Sequence, residues 1–228
     1  MLTKKKKLSR KEIKEDKLVA FYYKVYGFID ENKTSVMLYG GIIIVVIAAA
    51  YFYMVHKSQN NQLAAVELGK VMTLYDQGSY LEAIEGQPDK NIVGLKKIVD
   101  EFGGTENGET AKIYLANSYN RLEKFDEAYK YYEDYDGGNV LFKATSLAGQ
   151  AGYLSMKKEY EKAADLYYDA ARVSKSNVEN PNYLVQAGIN YLNAGKSAKA
   201  KEVLEKVKKD YVHSPSLSEA EKYLAMVD

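Results

Sequence analysis

Cysteine and histidine, the residue types most specific for nucleophilic and metal chemistry, are absent or scarce in this chain. The sequence contains no cysteine, which excludes a disulfide framework and thiolate catalysis. Its two histidines, His56 and His213, lie too far apart along the chain for us to expect a shared metal site or a catalytic pair. Neither a Ser-His-Asp set nor a His-Glu-x-x-His motif is recognisable. We therefore predict that the protein is not an enzyme and has no catalytic, cofactor-binding or metal-ligating residues.

Two further motifs look like functional sequences but lack the context that the chemistry needs. Residues 194–197 read Ala-Gly-Lys-Ser, as at the end of a phosphate-binding P-loop, but Asn190 stands where the first glycine belongs. A P-loop also follows a strand, and none is predicted here. The acidic pairs at residues 126–127 and 133–134 are predicted to lie on exposed helix faces as solvated charge. We therefore interpret both motifs as structural.

An unbroken, mostly apolar run without a charge, residues 36–55, is the element that organises the chain. As a helix, its 20 residues rise about 30 Å, the thickness of the hydrocarbon core of a bilayer. A cleaved signal peptide is the competing interpretation, but its apolar core is usually about 7–15 residues behind a short leader. A buried helix of a soluble core is a further alternative, although it would rarely follow so basic a leader. We predict a retained transmembrane helix.

The charges on either side of this run predict its orientation. Residues 1–35 carry ten basic and five acidic side chains, a balance of +5, whereas the whole chain carries only +1. After His56 and Lys57, the next base is Lys70. By the positive-inside rule, the amino-terminal head stays in the cytoplasm and the carboxy-terminal body is exported.

The head, residues 1–35, combines a lysine run at residues 4–7 with an apolar helical stripe. The lysine run is either a solvated face or a contact for anionic lipid or an acidic partner. Apolar residues then recur at steps of three and four, which predicts an amphipathic helix in the membrane interface. The stripe consists of Leu18, Phe21, Tyr22, Val25, Phe28 and Ile29.

The body, residues 56–228, is predicted to be almost entirely helical. It contains only three prolines and no persistent alternation typical of strands. Four segments share a helical run, a short turn, an aromatic or small residue, and an alanine three residues later. These residues are Tyr80 with Ala83, Phe125 with Ala128, Tyr160 with Ala163, and Ser197 with Ala200. The turn at residues 85–91 breaks the first unit, and a new helical stripe begins at Ile92.

This pattern resembles the tetratricopeptide repeat, a helix-turn-helix unit of about 34 residues. The small residue of the first helix corresponds to Ala116, Ala151 and Gly188, and the first unit has Val71 in its place. The later apolar position of the second helix corresponds to Tyr132, Tyr167 and Leu204. The resemblance implies an all-α fold: one N-terminal transmembrane helix, a short stalk at residues 56–63, and an α-solenoid of about four repeats at residues 64–228. Residues 216–227 are predicted to form its capping helix.

In such repeats the first helix of each unit lines a concave groove, so the resemblance also implies a protein-binding surface. The groove positions are Met72, Tyr75, Ile113, Asn117, Asn120, Arg121, Ser155, Met156, Ile189 and Leu192. We expect this surface to recognise an apolar or aromatic segment, with Asn117 and Asn120 bonding its backbone. The 22 tyrosines of the chain are interpreted as repeat packing, or, alternatively, as partly lining a peptide-binding surface.

The whole arrangement is similar to that of the YfgM-type ancillary subunits of the Sec translocon. The resemblance implies a membrane-tethered adaptor of the bacterial inner membrane, with a periplasmic body that assists transfer of exported polypeptides to folding factors. Expected partners are translocon subunits, periplasmic chaperones or client polypeptides, and membrane lipid through the anchor and head, but not nucleic acid. The alternative is a structural scaffold of a cell-envelope complex of the secretion, division or Tol–Pal-like kind. Co-purification would separate the two.

Overall fold

The structure, a computed structural model, describes the backbone of residues 10–227 and the side chains of residues 17–227. The chain divides into two compact units, residues 1–56 and 57–228. The lysine run at residues 4–7 lies outside the described residues.

The first unit contains helix α1, Arg10–Glu31, and the beginning of helix α2, Lys33–Asp76. Only Asn32 separates the two helices, and backbone bonds of the helical type run through it. The N–H of Asn32 donates to the carbonyl of Phe28 at 3.1 Å, and the N–H of Val36 donates to the carbonyl of Asn32 at 2.9 Å. Along α1, the apolar side chains of the predicted stripe are all exposed.

Among the described residues, α2 is the one helix that is long and apolar enough to cross a membrane. Its mean hydropathy reaches 2.2, and none of the residues in that most apolar window is buried. The helix does not stop where the apolar run ends. It continues through residues 56–63, the predicted stalk, and ends at Asp76, where its last turns supply Ala64, Leu68 and Val71 to the core of the body.

The second unit is an array of antiparallel helix pairs, which confirms the predicted all-α fold. Short loops join each helix to the next from α4 to α11. The last helix, α11, caps the array, and its Ala220 and Leu224 are buried. The helices are α3 Tyr80–Glu85, α4 Leu95–Phe102, α5 Glu106–Arg121, α6 Phe125–Glu133, α7 Val140–Met156, α8 Tyr160–Val173, α9 Asn180–Asn193, α10 Ser197–Asp210 and α11 Leu217–Leu224.

A small β-hairpin interrupts the first helix pair, and the sequence pattern did not reveal it. Strands β1, Gly86–Gln87, and β2, Ile92–Val93, pair antiparallel around a 3₁₀ turn, Pro88–Lys90. Strands of two residues are too short to alternate visibly. Glycine is needed at the closure because a Cβ on Gly94 would lie 2.3 Å from the carbonyl oxygen of Ile84.

The repeat positions predicted from the sequence are where the two helices of each unit meet. Tyr80, Phe125, Tyr160 and Ser197 are the first residues of α3, α6, α8 and α10. Three residues further on, Ala83, Ala128, Ala163 and Ala200 are at most 2% exposed. In the last unit, a Cβ on Gly188 would lie 2.6 Å from the side chain of Leu204. Small residues therefore allow the close approach of paired helices.

The four turns between paired helices have the same backbone geometry. In each, one residue adopts a left-handed conformation, with φ between 58° and 77°, two positions before the second helix. The next N–H donates to a carbonyl five residues earlier, as in a Schellman motif, at 2.8–3.0 Å. The left-handed residues are Gly78, Glu123, Lys158 and Gly195. This also explains the P-loop-like sequence, since Gly195 lies in the last of these turns.

Because Glu123 carries a side chain at a left-handed position, Glu123→Gly should stabilise the protein. A residue with a Cβ in the left-handed conformation costs about 1–2 kcal/mol, and glycine removes this cost. Part of the gain is offset because glycine has greater conformational freedom in the unfolded chain. We expect a net gain of a few tenths to about 1 kcal/mol in denaturant unfolding of the full chain in detergent micelles. The control, Glu127→Gly within α6, should cost about 1 kcal/mol. Equal destabilisation by both changes would contradict the turn geometry.

Candidate protein-binding site

A row of rings, here called the aromatic ladder, starts on α3 and crosses the first helices of three successive units. Tyr80 contacts Tyr75 edge to face at 5.5 Å between ring centroids, Tyr75 contacts Tyr114 at 5.0 Å, and Tyr114 contacts Phe142 at 6.0 Å. All four rings are partly exposed. The ladder therefore offers apolar surface along the side of the array that is lined by α2, α5 and α7.

Asn117 of α5 links two tyrosines, Tyr75 of the aromatic ladder and Tyr132 of α6. The hydroxyl of Tyr132 donates to Oδ1 of Asn117 at 2.6 Å. Burial raises the pKa of Tyr75, and a hydrogen bond with Asn117 opposes that rise. The amide of Asn117 is therefore engaged within the protein, whereas Asn120, one turn further along α5, is exposed.

A cavity of about 190 Å³, here called the tyrosine cavity, lies between α5, α6, α7 and α8. Asn120 and Met156, both predicted groove residues, line it together. Five of its eleven lining residues are aromatic. These are Phe125, Tyr129, Tyr132, Tyr153 and Tyr167. The rings of Tyr129 and Tyr153 stack on each other with centroids 4.4 Å apart.

Two glycines of α7 make room for these rings. A Cβ on Gly149 would lie 2.4 Å from the ring of Tyr132, so the ring packs directly on the helix backbone. A Cβ on Gly152 would lie 3.3 Å from the hydroxyl of Tyr167. Glycine at both positions therefore sets the width of the cavity between α7 and its neighbours.

A second cleft, of about 400 Å³, adjoins the tyrosine cavity and shares Phe125, Tyr153 and Met156 with it. Its other residues form what we call the charged rim: Glu123, Lys124, Asp126, Glu127 and Lys157. Asp126 accepts a hydrogen bond from the Tyr153 hydroxyl, which, with Lys157 at 3.3 Å, lowers the pKa of its carboxyl. Asp126 is thus a bonded member of the rim and not simply a solvated charge.

The remaining predicted groove residues do not gather at the cavity. Met72 packs against the core of the first two units, and Ile113 is only 1% exposed in that core. Ile189 and Leu192 pack against the core of the last two units, and the carbonyl of Ser155 accepts a bond from Lys158 in a turn. Arg121 is exposed at the end of α5. Ile113 is therefore a core residue and not part of an exposed binding surface.

The tyrosine cavity was missed at the sequence level because it lies between units. The groove prediction used only first helices, whereas Tyr132, Tyr129 and Tyr167 come from second helices. A signal was present in the two glycines of α7, Gly149 and Gly152, which follow a tyrosine-rich helix. Within residues 17–227, no group of histidine and acidic side chains is placed to hold a metal ion.

The buried tyrosines predict a loss of stability at alkaline pH. Burial raises the pKa of Tyr132, Tyr167 and Tyr191, and in Tyr191 a bond to Asp165 raises it further. Because tyrosines of the unfolded chain ionise near pH 10, the unfolded state is favoured as the pH rises above about 10. The melting temperature should not depend on these groups below about pH 10 and should fall as the pH rises above it. Tyr167→Phe should make the fall shallower, and an unchanged slope would contradict the assignment.

Comparison with solved structures agrees with the repeat geometry. This chain superposes on two structures of TPR-like repeats of a putative kinesin light chain from Podosopora anserina. The superposition covers 74% of this chain and 85–86% of each of those chains. The TM-scores are 0.55 and 0.53, and the sequence identity is 15% for each. The fold is that of TPR-like repeats. The sequence matches no protein-family model and no curated protein.

Proposed function

We propose that this protein is a membrane-tethered adaptor that binds other proteins through its repeat body. The observation that carries the proposal is the continuity of α2. One helix contains an unburied apolar run of membrane length and then supplies Leu68 and Val71 to the core of the first repeat. The same helix thus belongs to both the apolar run and the array, which suits the tethering of a binding surface to a bilayer.

The orientation follows from the charges, with the basic head in the cytoplasm of a bacterium and the body in the periplasm. The exposed rings of α1, with Lys17 and Lys24, support contact of the head with anionic lipid. A reporter active only outside the cytoplasm should be active when fused after Asp228 and inactive when fused before α1. The reverse pattern would overturn the proposed orientation.

Within the periplasm, we propose that the body assists transfer of exported polypeptides from the Sec translocon to folding factors. The aromatic ladder and the tyrosine cavity support binding of apolar segments, which emerging chains expose before they fold. Purification of the full protein from crosslinked membranes should recover translocon subunits and periplasmic chaperones. Recovery of division or Tol–Pal-like components without them would favour a scaffold instead.

A further inference from the structure

The lining of the tyrosine cavity is uncharged throughout. An ammonium or carboxylate group that entered it would lose hydration without gaining an ion-pair partner, which is strongly unfavourable. Its volume, about 190 Å³, is below the range of about 300–1,000 Å³ typical of cofactor and drug-sized ligand sites. The cavity therefore suits a single neutral side chain.

The nature of the wall favours an aromatic occupant over an aliphatic one. Five rings surround the cavity, and aromatic rings prefer edge-to-face or offset contacts with one another. Met156, which is 53% exposed, contributes a flexible thioether that can close over a bound ring. Asn120 offers an exposed amide to the backbone of the segment that carries the ring.

The charged rim adds a preference for the residues next to that ring. It contains three carboxylates, of Glu123, Asp126 and Glu127, and two ammonium groups, of Lys124 and Lys157. Lys157 and Asp126 satisfy each other at 3.3 Å. Two carboxylates then face one ammonium group, so the rim complements a positively charged neighbour of the bound side chain.

We propose that the tyrosine cavity binds one phenylalanine side chain of a partner polypeptide, and that the charged rim meets a lysine or arginine beside it. The proposal rests on the proposed function in taking the partner to be a polypeptide. It adds a sequence preference of the binding site for an aromatic residue flanked by basic residues. The segment would bind between the second and third repeats and not along the first helices alone.

The probe is the tripeptide Lys-Phe-Lys with blocked ends and a fluorine on its ring, titrated with the full chain in detergent micelles and followed by fluorine NMR. Protein-free micelles give the background. Unlabelled Lys-Phe-Lys should displace the probe, whereas Lys-Ala-Lys should not and Asp-Phe-Asp should do so less well. Gly152→Leu fills the cavity and should weaken binding by roughly tenfold or more, the effect of losing one buried side chain.

Gly69→Leu is the matched control, because a Cβ at this helical glycine meets nothing within 4 Å. It should bind the probe as the unchanged protein does. Met156→Lys, at an exposed position, serves as a second variant should Gly152→Leu fold poorly in thermal melts, and it should also weaken binding. Equal binding by all variants, or displacement by Lys-Ala-Lys, would overturn the proposal. If the probe does not bind but translocon subunits still co-purify, the cavity proposal fails and the proposed function stands. If the probe binds but translocon subunits do not co-purify, the proposed function fails and the cavity proposal stands.

Discussion

Lys112→Met should destabilise the folded body by about 3–5 kcal/mol, because it leaves a buried carboxylate without its counter-charge. The ammonium group of Lys112 lies 2.7 Å from the carboxylate of Glu109 and 2.8 Å from that of Asp134. Only 7% of the Lys112 side chain is exposed. The other oxygen of Glu109 accepts the N–H of Asp136 at 2.8 Å, so the pair fixes the end of α6 against α5.

The matched control is Lys162→Met, which breaks a Lys–Glu pair of the same spacing at the surface. Lys162 lies 2.6 Å from Glu159, but its side chain is 74% exposed. An exposed pair of this kind is worth about 1 kcal/mol or less. Denaturant unfolding of the full chain in detergent micelles should separate the two variants clearly. Similar effects from both changes would contradict the buried ion pair.

The pKa of Lys112 also has a defined direction. Burial lowers the pKa, but the hydrogen bonds to Asp134 and Glu109 outweigh it, and the net shift is upward. A raised pKa in the folded state contributes stability below the ordinary lysine pKa of about 10.4. That contribution is lost as the pH rises further, so it adds to the alkaline instability expected from the tyrosines.

Tyr132→Ala should cost about 3–5 kcal/mol, the range for removing a large buried aromatic side chain. The ring packs on the backbone of Gly149 and lines the tyrosine cavity, and its hydroxyl bonds to Asn117. Tyr132→Phe keeps the ring and should cost only about 1 kcal/mol, the typical net contribution of one hydrogen bond. Unfolding of the two variants in micelles compares them directly. A loss in Tyr132→Phe as large as that in Tyr132→Ala would show that the ring does not pack as described.

The repeat framework was predictable because its signals are local and repeated. Alanine three residues after an aromatic residue, or after Ser197 in the last unit, marks the contact of paired helices, and all four alanines are buried there. Thr105 caps α5 by accepting the N–H of Gly108 at 3.1 Å. The left-handed conformation of Glu123 gave no such signal, because it accompanies the Schellman bond from the N–H of Lys124 to the carbonyl of Tyr119.

The candidate site was less accessible to sequence reasoning because it depends on contacts between helices. The sequence suggests that Asp134 is solvated charge, yet it pairs with Lys112, 22 positions away in the chain. Asn117 was expected to face a partner, but its amide is engaged by Tyr132 and Tyr75. Such pairings are set by how successive helices stack, which a pattern within one helix does not record.

Site-specific photo-crosslinking in living cells tests the central claim most directly. A photoreactive residue at Asn120, beside the tyrosine cavity, should crosslink to a secretory polypeptide arrested during export, whereas one at Lys209, exposed near the end of α10, should not. Crosslinks at Asn120 that depend on arrest of the exported chain are the expected result. Crosslinks to cytoplasmic proteins only, or none to the arrested chain from either position, would contradict a periplasmic adaptor that receives exported polypeptides.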